Sequence, residues 1–253
     1  MAAVILSPHL DDAVLSCWHL LTQPGEVLVI NVFAGIPASS DGPAWWDRFT
    51  GATDSAKRVH ERLEEDRRAL ALAGRTAVSL GFLDEQYRQR EQPLTPLTKR
   101  IERHVAPGAR IYAPAAFANH TDHVLVRAAA VELRAAGFAV SFYADLPHAS
   151  LHGWPDWVMS GDAPAAHDLA GAMWDGALAR TGIPPQRMTT AVHELDAGAL
   201  ALKLAAVHAY RSQLDGLVEF AGRQLTDPET LGYEVVWTTP SPAREGGSAA
   251  SRP

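Results

Sequence analysis

The chain has 253 residues, of which 47% are hydrophobic and 20% charged, and its formal net charge at pH 7 is −7. This balance is typical of a globular protein with one sizeable core. The acidic and basic residues are interspersed, so no basic stripe could neutralise the phosphates of a nucleic acid, and we expect no nucleic-acid partner.

Cysteine usage and apolar runs limit the type of site and the compartment. Cys17 is the single cysteine, which excludes an internal disulfide and a four-thiolate zinc site. No stretch reaches the roughly 18 apolar residues of a membrane span, and residues 1–6 lack the basic and apolar regions of a signal peptide. We therefore expect a cytoplasmic protein without a membrane partner, and any metal ligands must be His, Asp or Glu.

Apolar runs and helical periodicity predict alternating strands and helices in the first part of the chain. The predicted strands are residues 2–6, 26–33, 77–81, 110–114 and 139–143. The predicted helices are residues 13–21, 55–73, 97–105 and 122–136. This alternation indicates a mostly parallel, Rossmann-like α/β sheet flanked by helices, with ligands outside the carboxyl ends of the strands.

The last third of the chain has weaker patterns. Residues 148–190 show no clear periodicity, and we expect loops and short helices that cover the site. Residues 195–214 predict a helix, and residues 234–238 a late edge strand. We expect a single domain over residues 1–240, followed by a tail, residues 241–253, with the composition of a disordered segment.

Two short motifs place metal-binding side chains at the carboxyl ends of predicted strands. Residues 8–12 read Pro-His-Leu-Asp-Asp, and residues 120–123 read His-Thr-Asp-His. Each alone has an ordinary explanation as a helix cap and a loop, but two strand ends in such a sheet lie side by side. Two histidines and one aspartate satisfy a catalytic zinc site with three protein ligands. The same donors also bind Fe²⁺, so iron stays an alternative.

With these motifs, the chain resembles the LmbE-like, or PIG-L, zinc-dependent de-N-acetylases. The first motif of that family reads Pro/Ala-His-x-Asp-Asp, and the second reads His-x-Asp-His. The resemblance extends through residues 32–35 and 62–66 to Leu83-Asp84. It implies zinc on His9, Asp12 and His123, Asp11 as the general base, and His120 as the stabiliser of the tetrahedral intermediate.

The resemblance also implies supporting and substrate-binding residues. Asp122 would orient a histidine, and Arg62 and Asp84 would contact the substrate, since charge-assisted hydrogen bonds suit hydroxyl-rich ligands. An ion pair within its own helix, with Glu65 or Asp66, is the ordinary explanation for Arg62. Both explanations remain open from the sequence.

Hydrolysis of an amide follows from these residue types. A metal lowers the pKa of water toward about 7 and polarises the carbonyl. A neighbouring carboxylate such as Asp11 accepts the proton and returns it to the leaving amine. A protonated His120 would contribute roughly 3 kcal/mol to stabilising the oxyanion.

We therefore expect removal of an N-acetyl or other N-acyl group from an amino sugar, a glycoconjugate or a natural-product intermediate. The alternatives are an amidase that acts on a larger sugar-linked or thiol-conjugate amide, and a non-catalytic sugar-binding module. A dinucleotide-dependent oxidoreductase is excluded because the first strand is not followed by Gly-x-Gly-x-x-Gly. Self-association as a homo-oligomer stays open.

The remaining aromatic and histidine residues give weaker signals. Tryptophans in predicted loops would either stack on a sugar or pack within the loops; they are Trp45, Trp46, Trp154, Trp157 and Trp174. Histidines without ligand spacing are taken as background: His19, His60, His104, His148, His152, His167 and His193. His208 is expected to be a packed or rim histidine, and Cys17 a core residue.

Overall fold

The fold is a mixed α/β domain built on one seven-stranded sheet. The computed structural model describes residues 2–38, 42–151, 153–161, 169–221 and 223–240. The strands are β1 (Ala3–Ser7), β2 (Val27–Asn31), β3 (Ala77–Ser79), β4 (Arg110–Pro114), β5 (Ala139–Tyr143), β6 (Thr189–Glu194) and β7 (Tyr233–Thr238). Their order across the sheet is β3-β2-β1-β4-β5-β7-β6.

The first five strands are parallel, as predicted, and the last two join through antiparallel pairings, β7 with β5 and β6 with β7. β1 is central, and its Val4, Ile5 and Leu6 are buried because an apolar β-branched run is covered on both faces. β1 pairs with β4, with Ala3 opposite Arg110. This pairing brings the loops that follow β1 and β4 to the same edge of the sheet.

Helices and short loops connect the strands. The helices of the first half are α1 (Asp12–Ser16), α2 (Trp18–Leu21), α3 (Trp45–Phe49), α4 (Ser55–Ala71), α5 (Leu94–Glu102) and α6 (Thr121–Ala135). The later ones are α7 (Asp156–Ser160), α8 (Leu169–Ala179), α9 (Ala197–Val207), α10 (Arg211–Ala221) and α11 (Pro228–Leu231). Among the described helices, none is both long and apolar enough to cross a bilayer.

Two predicted helices are each interrupted by a buried carboxylate. The predicted helix 13–21 is two helices because the backbone N–H groups of Trp18 and His19 donate to Glu234, at 2.7 and 2.8 Å. The predicted helix 195–214 is also two, since Glu65 accepts the Ser212 N–H at 2.8 Å at the start of α10. Both carboxylates are distant in sequence, so local periodicity does not reveal the breaks.

The predicted strand at 234–238 is present as β7, but its predicted place at the edge of the sheet is wrong. β7 lies between β5 and β6, and the strand at this edge of the sheet is β6, which the sequence analysis missed. β6 reads Thr-Thr-Ala-Val-His-Glu, and its residues are exposed or half-buried, so it carries a weak apolar signal. The predicted tail, residues 241–253, lies outside the described residues.

Candidate active site

The loop after β1 is closed by local hydrogen bonds. The hydroxyl of Ser7 donates to the His9 carbonyl at 2.6 Å and accepts the Ala13 N–H at 3.0 Å. The His9 N–H donates to Oδ2 of Asp12 at 2.7 Å. This compact turn holds His9, Asp11 and Asp12 at the carboxyl edge of the sheet.

Three potential metal ligands from the two motifs converge at this edge. Oδ2 of Asp12 lies 3.6 Å from Nδ1 of His9 and 3.5 Å from Nε2 of His123. One ligand atom from each of the three residues lies within 4.8 Å of the others. Two imidazoles and one carboxylate form the donor set of a catalytic zinc site, so the chemistry of these residues fits such a metal.

Each of the two histidines is supported by a carboxylate on its other ring nitrogen. Nε2 of His9 lies 3.1 Å from Oδ2 of Asp122, and Nδ1 of His123 lies 2.8 Å from Oδ2 of Asp145. Such partners fix the ring orientation and make a histidine a stronger ligand. Asp122 therefore orients His9, and Asp145 is a second supporting residue that the sequence analysis did not identify.

A second group of possible ligands, His9, His120 and Asp122, also lies within 4.8 Å. Asp122 is fully buried, and both of its carboxylate oxygens already have protein partners. Its Oδ1 lies 2.6 Å from Nη2 of Arg88, and its Oδ2 accepts the Glu85 N–H at 3.1 Å. Asp122 is thus a supporting residue, and Asp12 is the carboxylate that faces both histidines.

The electrostatics of the site reflect its buried charges. Burial alone would lower the pKa of His9, but its hydrogen bond to Asp122 and the charges of Asp84 and Asp12 raise it to about 10. Burial lowers the pKa of His123, and the charge of His9 lowers it further. Burial raises the pKa of Asp11 and of Asp12. Without a cation, the site therefore retains a proton on His9 that a metal would displace.

His120 follows a strained loop at the carboxyl end of β4. Ala116, Ala118 and Asn119 have φ values of 59°, 57° and 58°, in the left-handed region. Nδ1 of His120 accepts the Asp122 N–H at 3.3 Å, so the proton of the neutral ring lies on Nε2. Burial lowers the pKa of His120, which favours this neutral form over the protonated form expected from the sequence.

Arg62 and Asp84 both line the cavity around His9. Nη2 of Arg62 lies 2.9 Å from Oδ1 of Asp47, a fully buried residue of α3. Arg62 of α4 therefore pairs with another helix and not with an acidic residue of its own. The Tyr87 hydroxyl donates to Oδ2 of Asp47 at 2.7 Å. Asp84 accepts the Gln86 N–H at 3.0 Å and so fixes the loop that follows β3.

The structure adds cavity residues that the sequence analysis missed. His148, taken as background, lies with its ring centroid 4.9 Å from that of His123, and burial lowers its pKa to about 3. Gln213 also lines the cavity, and Nε2 of Gln213 is buried without a hydrogen-bond partner among the described residues. Asp145 and His148 follow the carboxyl end of β5, so the signal that revealed the two motifs also applied to them.

The other aromatic residues divide between cavity and core. Trp45 and Trp46 lie in α3 and line the cavity. Trp154 and Trp157 pack against Trp174 outside it, with ring centroids 5.6 and 5.8 Å from the Trp174 ring. Of the described part of residues 148–190, only His148 lines the cavity. The expectation that this segment covers the site is therefore correct for His148 and wrong for the rest of the described segment.

The other described histidines do not line the cavity. His208 is exposed at the end of α9, and His19 stacks on His193 with ring centroids 3.7 Å apart. His60 and His104 do not line the cavity. Cys17 is buried in the core, as predicted. His152 and His167 lie outside the described residues.

Comparisons with known proteins identify the family to which this chain is similar. The family model described as "PIG-L: GlcNAc-PI de-N-acetylase" matches residues 4–134. A relative from Niallia circulans, 2'-N-acetylparomamine deacetylase, is 28% identical over 189 residues, covering 60% of this chain and 69% of its own length.

Solved structures of deacetylases share the fold. A triple mutant of a deacetylase of the teicoplanin biosynthetic pathway is 25% identical with a TM-score of 0.66, covering 94% of this chain and 97% of that one. A deacetylase–teicoplanin complex is 22% identical with a TM-score of 0.67, covering 94% and 98%. The family match spans more than half of the chain and includes both motifs, so this chain belongs to the PIG-L de-N-acetylase family.

Proposed function

We propose that this protein is a zinc-dependent hydrolase that removes an N-acetyl group from an amino sugar within a glycoconjugate or natural-product intermediate. The observation that carries the proposal is the convergence of His9, Asp12 and His123, with ligand atoms within 4.8 Å, beside the buried carboxylate of Asp11. A structural metal site requires no additional carboxylate, whereas hydrolysis requires a proton acceptor.

The relatives support the substrate class. One is named for the deacetylation of a 2'-N-acetylparomamine, and others belong to teicoplanin biosynthesis. The family name refers to the de-N-acetylation of GlcNAc-PI, an N-acetylated amino-sugar conjugate.

The metal is proposed to be held by Nδ1 of His9, Nε2 of His123 and a carboxylate oxygen of Asp12. When bound, zinc would lower the pKa of a water molecule and polarise the scissile carbonyl. The residues also fit Fe²⁺, which takes the same two-histidine, one-carboxylate set. The supporting carboxylates Asp122 and Asp145 hold both imidazoles in place.

Asp11 is the proposed general base and acid. Asp11 is 6% exposed and lines the cavity next to the proposed ligand Asp12. Burial raises the pKa of Asp11, which brings it nearer to neutral pH and makes proton transfer in both directions more effective. Asp11 takes a proton from the attacking water and delivers it to the nitrogen that leaves as an amine.

His120 and the cavity walls complete the proposed mechanism. Nε2–H of His120 donates to the oxygen that becomes negative as the carbonyl is attacked, and this needs only the neutral ring. Arg62 and Asp84 line the cavity where sugar hydroxyls would lie, and Asp84 retains free lone pairs for them.

The proposal is tested by acetate release. The purified chain is stripped with a chelator, and acetate release from 2'-N-acetylparomamine and from a methyl N-acetylglucosaminide is measured before and after adding Zn²⁺ or, without oxygen, Fe²⁺. We expect activity to disappear with the metal and to return with Zn²⁺. Sugar binding without acetate release under every condition would instead support a non-catalytic module, and release of a larger acyl group only would support an amidase.

A further inference from the structure

An aromatic surface lies along one side of the active-site cavity. Trp45, Trp46 and Phe220 line the same cavity as His9 and Asp12, and we call these three side chains the aromatic rim. Trp45 is 64% and Phe220 53% exposed. Exposed aromatic residues that cluster in a cavity indicate a ligand contact more often than scattered ones do.

The aromatic rim is continuous with the proposed metal centre. The Phe220 ring lies 6.4 Å from the His148 ring, and the His148 ring lies 4.9 Å from that of His123. On the other side of Phe220, the Trp46 ring lies 6.3 Å away. The His148 ring therefore connects the aromatic rim to the proposed metal centre within one cavity.

The helix that carries Trp45 and Trp46, α3, is held against α4 and α10 by several contacts. Asp47, the residue after Trp46, is fully buried and pairs with Arg62 at 2.9 Å. At Gly216 of α10, a Cβ atom would lie 3.4 Å from the Trp46 ring, so α3 and α10 are in close contact. Arg58 also links them, donating to the carbonyls of Thr50 at 2.9 Å and Ser212 at 3.1 Å.

The charges of the cavity disfavour an anionic ligand. Among the described residues that line it, Arg62 is the one lysine or arginine, and its charge is already paired with Asp47. The carboxylates in the lining are Asp11, Asp12, Asp84 and Glu85. The described lining offers no unpaired lysine or arginine to a phosphate or carboxylate outside the proposed metal centre, whereas a neutral apolar group needs no such partner.

We propose that the aromatic rim is a subsite for a neutral, planar apolar group that the amino-sugar substrate carries as its aglycone. This inference rests on the proposed deacetylation. The Trp46 ring is inclined by 72° to the Trp45 ring and by 88° to the Phe220 ring, so a planar group that stacks on one of these rings makes edge-to-face contacts with a neighbouring one. Together the three rings exclude water from the group. Selectivity for substrates with an aryl aglycone then follows from the rim, independently of the metal chemistry.

The test compares phenyl and methyl glycosides of N-acetylglucosamine. The ratio of kcat/KM for the phenyl over the methyl glycoside is measured in the parent chain, in Trp45→Ala and in Phe220→Ala. Both side chains are more than half exposed, so their loss leaves the fold intact. The control is Met159→Ala, another exposed apolar residue, on α7 and outside the cavity lining.

We expect the parent to favour the phenyl glycoside by about tenfold and each rim variant to lose most of that preference, while Met159→Ala retains it.

Equilibrium binding of both glycosides to Asp11→Asn is measured in parallel. Equal kcat/KM values for both glycosides in the parent would overturn the subsite and leave the deacetylase proposal standing. If neither is hydrolysed but Asp11→Asn binds the phenyl glycoside about tenfold more tightly, the subsite stands and the deacetylase proposal fails. If the two bind equally, the subsite is overturned.

Discussion

Nδ1 of His123 lies 2.8 Å from Oδ2 of Asp145, which leaves Nε2 of His123 directed toward Asp12. The other oxygen of Asp145 accepts the N–H of Phe117 at 3.1 Å, so both carboxylate oxygens act as acceptors. His9 is held in the same manner by Asp122 at 3.1 Å. The orientation of both proposed imidazole ligands is therefore set by carboxylates that do not themselves face the metal.

Asp145→Asn is expected to weaken zinc binding by roughly 10- to 100-fold. An amide cannot accept from both His123 and the Phe117 N–H, because one of its two ends is a donor. Either orientation of the Asn leaves a mismatch, and one of them shifts the proton of His123 onto Nε2. Zinc affinity is measured by competition with a chelator of known affinity.

The matched control for this change is Asp196→Asn. Asp196 is the exposed N-cap of α9, where Asn is an equally good cap. Unchanged zinc affinity in Asp145→Asn, or equal losses in both variants, would contradict the supporting role of Asp145.

Zinc binding is expected to release at least one proton at neutral pH. The pKa of His9 is about 10 in the metal-free site, so His9 is protonated at neutral pH, and it must lose that proton to become a ligand. Zinc affinity therefore rises with pH below the pKa of His9. Calorimetric titration in two buffers of different ionisation enthalpy measures the protons released, and the absence of any release would contradict the proposed ligand role of His9.

The buried ion pair beneath the aromatic rim predicts two unequal losses of stability. Asp47→Ala is expected to cost about 3 to 5 kcal/mol, because Arg62 is left buried without its partner. Tyr87→Phe removes one hydrogen bond to Asp47 and is expected to cost about 1 kcal/mol. Urea denaturation measures both free energies of unfolding, and losses of equal size would show that the Arg62–Asp47 pair contributes no more than the single hydrogen bond.

The buried carboxyl group of Asp66 is expected to make the free energy of unfolding depend on pH. Burial raises the pKa of Asp66 to about 7, although Tyr210 and Asn31 donate hydrogen bonds to it at 2.8 and 2.7 Å. In the unfolded chain the pKa is about 4. Between these values the folded state binds more protons, so this group's contribution to stability is present below about pH 4 and is lost as pH rises through about 7.

Asp66→Asn is expected to remove this contribution. The Asn31 amide accommodates the change by turning, since Oδ1 of Asn31 has no hydrogen-bond partner among the described residues. The free energy of unfolding is compared between about pH 5 and about pH 8 in both proteins, and the difference between the two pH values should be smaller in the variant. A difference as large as in the parent chain would show that Asp66 does not titrate as described.

The parallel half of the fold was predictable because its signals are local. The strand predictions at 110–114 and 139–143 match β4 and β5, since short apolar runs bounded by turn residues define them. The sheet topology then places the ends of β1 and β4 side by side, and this confirms that residues 9–12 and 120–123 meet. Their roles in catalysis and metal binding stay predictions.

The features that sequence reasoning missed depend on contacts between distant residues. The partner of Arg62 is Asp47, not Glu65 or Asp66, and these two instead bond to Ser212 and to Asn31 with Tyr210. No helical spacing predicts such pairs, because they depend on how α3, α4 and α10 pack together. The breaks in two predicted helices have the same kind of cause.

The central claim is tested most directly by Asp11→Asn, with Asp196→Asn as the control. Zinc content and acetate release from a phenyl N-acetylglucosaminide are measured in the parent chain and in both variants. We expect about one zinc per chain in all three, with acetate release lost in Asp11→Asn and retained in Asp196→Asn. A parent chain that binds no metal, or an Asp11→Asn variant as active as the parent, would contradict the account.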